Sequence, residues 1–513
     1  MWCWVRFSLS SLKHTSLTVQ GRLPIDSHRY HFGEVGAMGV SRRRVIQAGL
    51  GLTAVSAIPM VQHVAWGTRD YVREDYAPDY PEPPIGEESW RNWSGAQTAT
   101  PKQFRSPASA AELSEIIRTT PGHIRPRGSG HSFSGLVPSE GVILDVGQLA
   151  GLKAYDPVTQ RATFGAGTVL FQAASQLNEI DRAFPNLPDI VDQTLAGSFS
   201  TATHGAGQTL TALHDYIHSF KLVTADGSLL DVTADSNPDL FSAGKVSLGA
   251  LGVISEYTVE TIPSFNLRRI VSAEPIDAVL DDAFSRASSY RNFEFYYLPG
   301  TGLAASITHD LHHGETTGLE PSNDDDEMLE GLKQLRNEFG WWPWLRKRIA
   351  QSALPSGTIE DVTDTSLQLL ATTRPIKFNE MEYHLPWDDG LKALRQIIKM
   401  MDQRKHVFFP MEVRFTAPDD AWLSPFLGGP RISIAIHAAI DEAYDYFFSE
   451  FEPVFKMYGG RPHWGKHHSL QRKDLEALYP DFTKFADLRR SLDPTGKFLN
   501  PHLADVFGVP FNV

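Results

Sequence analysis

The stretch Arg125-Pro-Arg-Gly-Ser-Gly-His-Ser-Phe-Ser134 is the first concentrated candidate for a binding site in this 513-residue chain. Gly128, Ser129 and Gly130 are small, so the backbone can curl there and direct successive N–H groups at an anion. His131 follows directly and would lie against the bound group. The spacing matches neither the G-x-G-x-x-G fingerprint nor a P-loop. Taken alone, such a loop is more often an ordinary turn.

A second loop of small residues indicates that the first loop is not an ordinary turn. Ala196-Gly-Ser-Phe-Ser-Thr-Ala-Thr-His-Gly-Ala-Gly207 consists almost entirely of small residues and contains four hydroxyls and His204. We predict that the two loops hold a pyrophosphate from both sides.

A polar pair lies on a predicted strand, Phe409-Pro-Met-Glu-Val-Arg-Phe-Thr416. Alternation places Glu412, Arg414 and Thr416 on one face. That face is either an ordinary surface with a weak ion pair or, because the preceding residues are apolar, the lining of a cavity.

The segment Gly459-Gly-Arg-Pro-His-Trp-Gly-Lys-His-His468 contains two histidines at metal-ligand spacing, His463 and His467. No carboxylate accompanies them, Gly465 weakens a helix, and Lys466 would repel a cation. We therefore predict no metal site.

Composition excludes several classes of function. Lys and Arg total 47 against 61 Asp and Glu, so the net charge is 47 − 61 = −14, which argues against nucleic-acid binding. Cys3 is the one cysteine, so disulfides, iron–sulfur clusters and thiolate zinc sites are excluded. The chemistry must come from other side chains or from a cofactor.

The N-terminal region is typical of a twin-arginine export signal. Ser41-Arg-Arg-Arg-Val-Ile-Gln47 precedes a run, Val45 to Thr68, without Asp, Glu, Lys or Arg. We predict export to the periplasm or cell exterior, with membrane tethering if the signal is not cleaved. Met38 is then the expected start, and residues 1–67 comprise an over-extended start plus the signal.

The remaining pattern is mixed α and β without a regular βαβ rhythm. We predict a linker over 68–89 and a first domain over 90–265, with helices over Ser109–Arg118 and Val169–Ile180. We also predict a strand over Gly141–Asp145, a hairpin across Asp226-Gly227 and a strand over Gly252–Glu260. The acidic run Pro321–Glu327 is interpreted as a solvated loop.

Seven segments, in order, resemble one family: the FAD-dependent sugar-1,4-lactone oxidases, such as L-gulonolactone and D-arabinono-1,4-lactone oxidases, within the vanillyl-alcohol-oxidase superfamily. They are Asn92–Ser94, the Gly-His-Ser loop, Ser200–Gly205, Leu248–Ile254, Pro410–Thr416, Gly460–Lys466 and Leu492–Asn500.

This resemblance implies an α+β, two-domain fold with a PCMH-type FAD-binding domain. It implies a substrate or cap domain over 266–450 and a C-terminal segment, 451–513, that completes the flavin site. His131 matches the histidine that many members bond to the flavin, and Glu412, Arg414 and Lys466 match the residues placed at the substrate hydroxyl and flavin. The implied FAD-binding residues are Arg127, Gly128, Ser129, Gly130, His131, Ser132, Gly197, Ser200, Thr201, Thr203, His204, Gly205, Gly252 and Ile254.

The implied reaction is hydride transfer from a sugar-lactone hydroxyl to flavin N5, with oxygen or a quinone or cytochrome as the final acceptor. Cations near the flavin would stabilise the negative charge that develops, and a base would take the hydroxyl proton. Glu412 and Lys466 are both candidates for that base. The alternatives are an alditol or other sugar-alcohol oxidase, a dehydrogenase, and, from another class, a non-catalytic flavin- or sugar-binding protein.

Overall fold

An eight-stranded antiparallel sheet forms the centre of the C-terminal half. The computed structural model describes residues 61–73, 76, 89–319, 324–354, 356–372 and 376–511. In spatial order the sheet contains β16 (Gly357–Thr365), β13 (Asn266–Pro275), β15 (Leu303–His312), β14 (Asn292–Leu298), β18 (Met411–Thr416), β19 (Arg431–Ala439), β17 (Phe378–Pro386) and β20 (Arg461–Pro462). Every residue of β18 and β19 is buried, so polar side chains on these strands must face a cavity or each other.

The N-terminal half is built from smaller sheets. The largest is antiparallel, with the order β10 (Leu229–Thr233), β9 (Ile217–Val223), β11 (Val253–Glu260), β7 (Arg161–Gly165) and β6 (Leu152–Asp156). A parallel sheet has the order β3 (Gln103–Arg105), β5 (Val142–Asp145) and β4 (Ile124–Arg127). Two-stranded pairs join β1 (Trp90–Arg91) to β2 (Thr98–Ala99) and β12 (Ile262–Pro263) to β8 (Arg182–Ala183).

Helices cover these sheets and connect their strands. After a helix over 61–67 (α1), they are α2 (Ala110–Thr119), α3 (Leu170–Asn178), α4 (Leu195–Ser200), α5 (Pro238–Gly244), α6 (Ile276–Ser289), α7 (Asp324–Phe339), α8 (Pro343–Ala353), α9 (Ser366–Leu370), α10 (Trp387–Gln403), α11 (Glu452–Met457), α12 (Arg472–Leu478), α13 (Phe482–Leu492) and α14 (Pro501–Phe507). A 3₁₀ turn (Leu213–Tyr216) and a π-helical turn (Phe447–Phe451) complete the list.

The predicted elements of the first domain are confirmed. Helix α2 begins where expected because the Ser109 hydroxyl accepts a hydrogen bond from the Glu112 N–H. The hairpin of β9 and β10 turns at Gly227, whose φ of +85° is the left-handed conformation that glycine adopts readily. The acidic run is a correction: a solvated loop was predicted, but α7 begins at Asp324 within it.

Residues 61–73 pack against the rest of the protein, although they were assigned to the end of the signal and the start of the linker. Trp66 is buried and donates a hydrogen bond from its indole N–H to the Arg336 carbonyl oxygen at 2.9 Å. Val72 forms a bridge with Glu442. The arginine motif, Met38 and the proposed signal lie mostly in residues 1–60, outside the described residues, so export remains a prediction.

The C-terminal tail returns to the N-terminal half. The Asn500 amide donates to the carbonyl oxygens of Gly135 and Pro138, at 2.8 and 2.9 Å. The buried Arg125 donates to the Phe498 carbonyl oxygen. These contacts tie the end of the chain to the first glycine-rich loop and its strand.

Candidate active site

The two small-residue loops meet at one cavity. Gly128 of the first loop touches Thr194, which precedes α4, so closely that a Cβ at position 128 would lie 2.1 Å from the threonine Oγ1. Thr194 caps α4 by accepting a hydrogen bond from the Gly197 N–H at 3.2 Å. The second predicted loop is thus partly helical, and glycine at 128 is what lets the loops approach each other.

A row of buried polar side chains crosses the central sheet and faces this cavity. Glu412 and Arg414 project from β18 and both line the cavity, so the cavity-lining alternative for this strand is confirmed. Arg414 Nε donates to Glu294 Oε2 on β14 at 2.9 Å, and its Nη2 donates to Glu412 Oε1. The Tyr296 hydroxyl on β14 donates to the same Glu412 oxygen.

The electrostatics of this group differ from residue to residue. Burial raises the pKa of Glu412, although the Arg414 guanidinium opposes the shift. Burial alone would lower the pKa of Arg414, but the carboxylates of Glu412 and Glu294 hold it well above its usual value. Arg414 therefore stays charged, and Glu412 is a more basic carboxylate than one in water.

Lys466 follows β20, the strand at the end of the central sheet, and also lines the cavity. Its ammonium group donates a hydrogen bond to Glu380 on β17 and lies 5.2 Å from the centre of the Phe133 ring. Burial would raise the pKa of Glu380, but the charge of Lys466 and the neighbouring His437 lower it to about 2. Lys466 and Glu380 thus form a buried ion pair at the edge of the cavity.

His437 on β19 stands between these groups. Its Nδ1 lies 2.8 Å from the Pro410 carbonyl oxygen, which can only accept, so Nδ1 carries a proton. Its Nε2 lies 3.7 Å from Glu380 Oε1. With Nδ1 held by this carbonyl oxygen, Nε2 is the ring nitrogen that faces the Glu380 carboxylate.

A second buried pair lies beside the second loop. His204 Nε2 is 2.8 Å from Glu382 Oε1, and its Nδ1 is 3.0 Å from the Gly205 carbonyl oxygen. Both neighbours are hydrogen-bond acceptors, so they hold the ring in place between the loop and β17. The charge of His204 holds the pKa of Glu382 well below its usual value, against the effect of burial.

With His463, this pair forms the one cluster with metal-ligand chemistry found among the described residues, its ligand-type atoms lying within 4.8 Å of one another. His463 Nδ1 accepts the Gly465 N–H at 3.0 Å, which leaves its proton on Nε2. With Nδ1 occupied in this way, Nε2 is the nitrogen of His463 that is left for another partner.

Two family models and a relative of known activity identify the family of this chain. A family model described as D-arabinono-1,4-lactone oxidase matches residues 257–506, and one described as FAD binding domain matches residues 101–233. An L-gulono-1,4-lactone dehydrogenase from Mycobacterium tuberculosis is 32% identical over 82% of this chain and 99% of that protein. The chain belongs to the FAD-dependent sugar-1,4-lactone oxidase family.

Other relatives span the family's range. An L-gulonolactone oxidase from Mus musculus is 29% identical over 82% of this chain and 98% of that protein. An alditol oxidase from Streptomyces is 28% identical over 81% of this chain and 98% of that protein. A cholesterol oxidase structure from Brevibacterium sterolicum, 14% identical, covers 84% of this chain and 100% of its own with a TM-score of 0.66, which shows the shared α+β fold. This lactone oxidase family member is an FAD-dependent oxidoreductase.

The residues present fit FAD. One cavity is lined by both small-residue loops and by the charged row. A bound FAD would therefore meet the loops and the charged side chains within one continuous space. Predicted FAD-binding residues that line it are Arg127, Gly128, Ser129, Gly130, His131, Ser132, Gly197, Ser200, Thr201, Thr203, His204, Gly252 and Ile254. Gly205 is not among the residues that line this cavity: it packs against Leu187, whose carbonyl oxygen would lie 2.3 Å from a Cβ there, and its part in FAD binding stays a prediction.

The cavity residues that sequence reasoning missed include Glu380, Glu382, His437 and Tyr296. An alternating pattern marked each of their strands. On β17 the carboxylates at 380 and 382 alternate with Met381 and Tyr383, the same period of two that identified Glu412 and Arg414. Tyr296 follows Asn292 and Glu294 at alternate positions of β14, and His437 follows Arg431 and Ser433 on one face of β19, so the same period of two was present there.

Proposed function

We propose that this enzyme oxidises a ring or side-chain hydroxyl of a sugar-1,4-lactone. The observation that carries the proposal is the convergence of Glu412, Arg414 and Lys466, from two separate parts of the chain, on the cavity that both small-residue loops line. Bound FAD supplies the hydride acceptor. The side chains then have to bind the hydroxyl, accept its proton and stabilise negative charge.

Glu412 is the group we assign to the substrate hydroxyl. Its raised pKa makes it a better proton acceptor than an ordinary carboxylate, and Tyr296 and Arg414 both bond to its Oε1, which fixes its orientation. Lys466 is excluded as the initial base because its ammonium group is already paired with Glu380.

His437 is a second candidate for the proton acceptor. The Pro410 carbonyl oxygen accepts a hydrogen bond from Nδ1, so a proton that this ring took from the substrate would go to Nε2. The variants Glu412→Gln and His437→Gln distinguish the two, because only loss of the true base removes the acid limb of the pH profile for reduction.

Arg414 and Lys466 are the cations that would stabilise charge developing on the reduced cofactor. Both are held rigidly by carboxylates, so little reorganisation is needed as the reaction proceeds.

His131 is proposed as a covalent attachment point for FAD. It follows the cradle directly, lines the cavity, and stacks on Trp93 with ring centres 5.5 Å apart. Burial lowers its pKa to about 4, so the ring is neutral and nucleophilic at neutral pH. Acid precipitation tests this: colour should stay with wild-type protein and leave His131→Ala.

The substrate and acceptor are tested together by anaerobic titration. Adding members of a panel of aldonolactones and alditols should bleach the flavin absorbance, fastest with a lactone. Fast recovery on admitting air identifies an oxidase, and recovery only with a quinone or cytochrome identifies a dehydrogenase. Absence of bleaching with every compound would contradict the proposed reaction and favour a binding protein.

Export through the twin-arginine machinery is also proposed, on the arginine motif alone. Replacing Arg42, Arg43 and Arg44 together with lysine should retain the precursor in the cytoplasm, because the receptor reads the guanidinium pair. Undiminished export of this triple variant would contradict the proposal.

A further inference from the structure

An exposed aromatic and aliphatic surface lies far in sequence from the catalytic residues. It consists of Val61 and Val64 on α1 and of Trp342 and Trp344 at the start of α8, which we name the tryptophan surface. Their exposed fractions are 66%, 59%, 40% and 62%. The large exposed hydrophobic side chains in the described part of the chain include two tryptophans, and both lie here.

Ring contacts join the two halves of this surface. His63 of α1 accepts a hydrogen bond from the Trp341 indole N–H at 3.1 Å. Trp341 lies 5.3 Å from Trp342, which lies 6.4 Å from Trp344, measured between ring centres. Trp66, on the other side of α1, is buried against Gly340. The inward face of α1 is therefore anchored, and its two exposed valines face away from the protein.

Positive charge accompanies the apolar side chains. Lys347 and Arg348 are exposed on α8, which contains no Asp or Glu, and Arg348 lies over the Trp344 ring at 5.8 Å. Arg69 follows α1 and is exposed. Glu338 is the acidic neighbour, and it lies 3.9 Å from His63. In a chain of net charge −14, this local basic character is unusual.

We propose that the tryptophan surface docks this enzyme on an anionic lipid bilayer. Tryptophan side chains concentrate at the membrane interface, and nearby Lys and Arg are attracted to anionic headgroups. The charge-free run from Val45 to Thr68, which follows three arginines, includes all of α1, so the chain leads an apolar segment directly to this surface. No helix of the described residues is long and apolar enough to span a bilayer, so the docking is peripheral for this part of the chain.

A second copy of the chain fits this surface less well. A two-fold interface on this surface would bring Lys347 and Arg348 of both copies into one contact area, and like charges at close range oppose association. A bilayer with anionic lipid instead supplies the complementary charge.

The test measures binding of the full-length chain to vesicles of phosphatidylcholine with and without phosphatidylglycerol. The two tryptophans expose about one whole side chain between them, so burying half of that surface changes partition on the order of fiftyfold. We therefore expect Trp342→Ser with Trp344→Ser to lower binding by at least tenfold. Lys347→Gln with Arg348→Gln should lower it about fivefold per charge, and only when phosphatidylglycerol is present.

A matched control removes exposed apolar side chains elsewhere. Phe171→Ser with Leu311→Ser, 47% and 53% exposed in the wild type, should leave vesicle binding unchanged. None of these residues lines the catalytic cavity, so flavin content and activity in solution should match the wild type in every variant.

The N-terminal apolar run could by itself account for most of the vesicle binding, so a second measurement reports on the two tryptophans directly. Brominated lipids quench tryptophans that touch acyl chains, so wild-type fluorescence should be quenched more than that of Trp342→Phe with Trp344→Phe. Equal quenching of the two would overturn the proposal. Concentration-dependent dimerisation that the tryptophan variants abolish, without vesicle binding by the wild type, would overturn it in favour of a second copy.

Discussion

Replacing Glu412 by glutamine isolates the negative charge that we assign to the substrate hydroxyl. The amide keeps the volume and can still accept from Tyr296 and Arg414, so the fold and FAD content should be unchanged. Loss of a general base typically costs a hundred- to ten-thousandfold, and we expect flavin reduction to slow on the order of a thousandfold, about 4 kcal/mol of activation free energy. The assay is anaerobic stopped-flow reduction at saturating substrate.

Glu294→Gln is the matched control because Glu294 also bonds Arg414 but does not line the cavity. It removes one carboxylate partner of the arginine and leaves the substrate side intact, so reduction at neutral pH should change less than tenfold. If both variants slow reduction equally, Glu412 acts only by holding Arg414. If Glu412→Gln reduces at the wild-type rate, the assignment of this strand to catalysis is wrong.

Three further outcomes test the rest of the site. Lys466→Met should slow flavin reduction on the order of a hundredfold with little change in the substrate Kd, measured from the concentration dependence of the reduction rate. Glu380→Gln, which leaves the Lys466 ammonium without its carboxylate, should mimic part of that loss, and in a double variant it should add little to the loss caused by Lys466→Met. Gly128→Ala should lose FAD because the new methyl group meets the Thr194 Oγ1 at 2.1 Å, whereas adding Thr194→Ala should restore part of the flavin content read from the absorbance ratio.

The elements of the first domain were predictable because their signals are local. Ser109 caps α2, and the Asp226-Gly227 pair forms the hairpin turn, so each boundary is set within a few residues. The start of α7 at Asp324 was missed because a run of aspartates resembles a loop by composition, although acidic residues also favour the first turn of a helix. The docking of α1 depends on Trp66 meeting a helix some 270 positions away, which no local pattern indicates.

In the candidate site, too, residues with a local sequence signal were found, and their distant partners were not. Glu412 and Arg414 were found because both sit on one short alternating strand. Their partners Glu294 and Tyr296 come from β14, paired by a sheet register that the sequence of neither strand reveals. His437 could not be selected from 19 histidines because its role rests on a carbonyl group, at Pro410, that accepts a hydrogen bond from its Nδ1.

Pairing explains why one carboxylate of the row differs from the others. Glu380 is paired with Lys466 and Glu382 with His204, and these partners lower the pKa of each carboxyl despite burial.

Glu412 instead shares the single positive charge of Arg414 with Glu294, and its pKa is raised. Glu412 is therefore the carboxylate that is least stabilised by a positive charge, and it is the one that can take a proton from the substrate. Flavin reduction should then fall as the pH drops through the pKa of Glu412, which lies above its usual value, because protonation removes the base. In Glu294→Gln, Glu412 is the one carboxylate that remains paired with Arg414, so the pKa of Glu412 should fall. The acid limb of the pH profile for flavin reduction should then move to lower pH. A limb that stays in place in Glu294→Gln would show that another group, with His437 the first to examine, controls the proton.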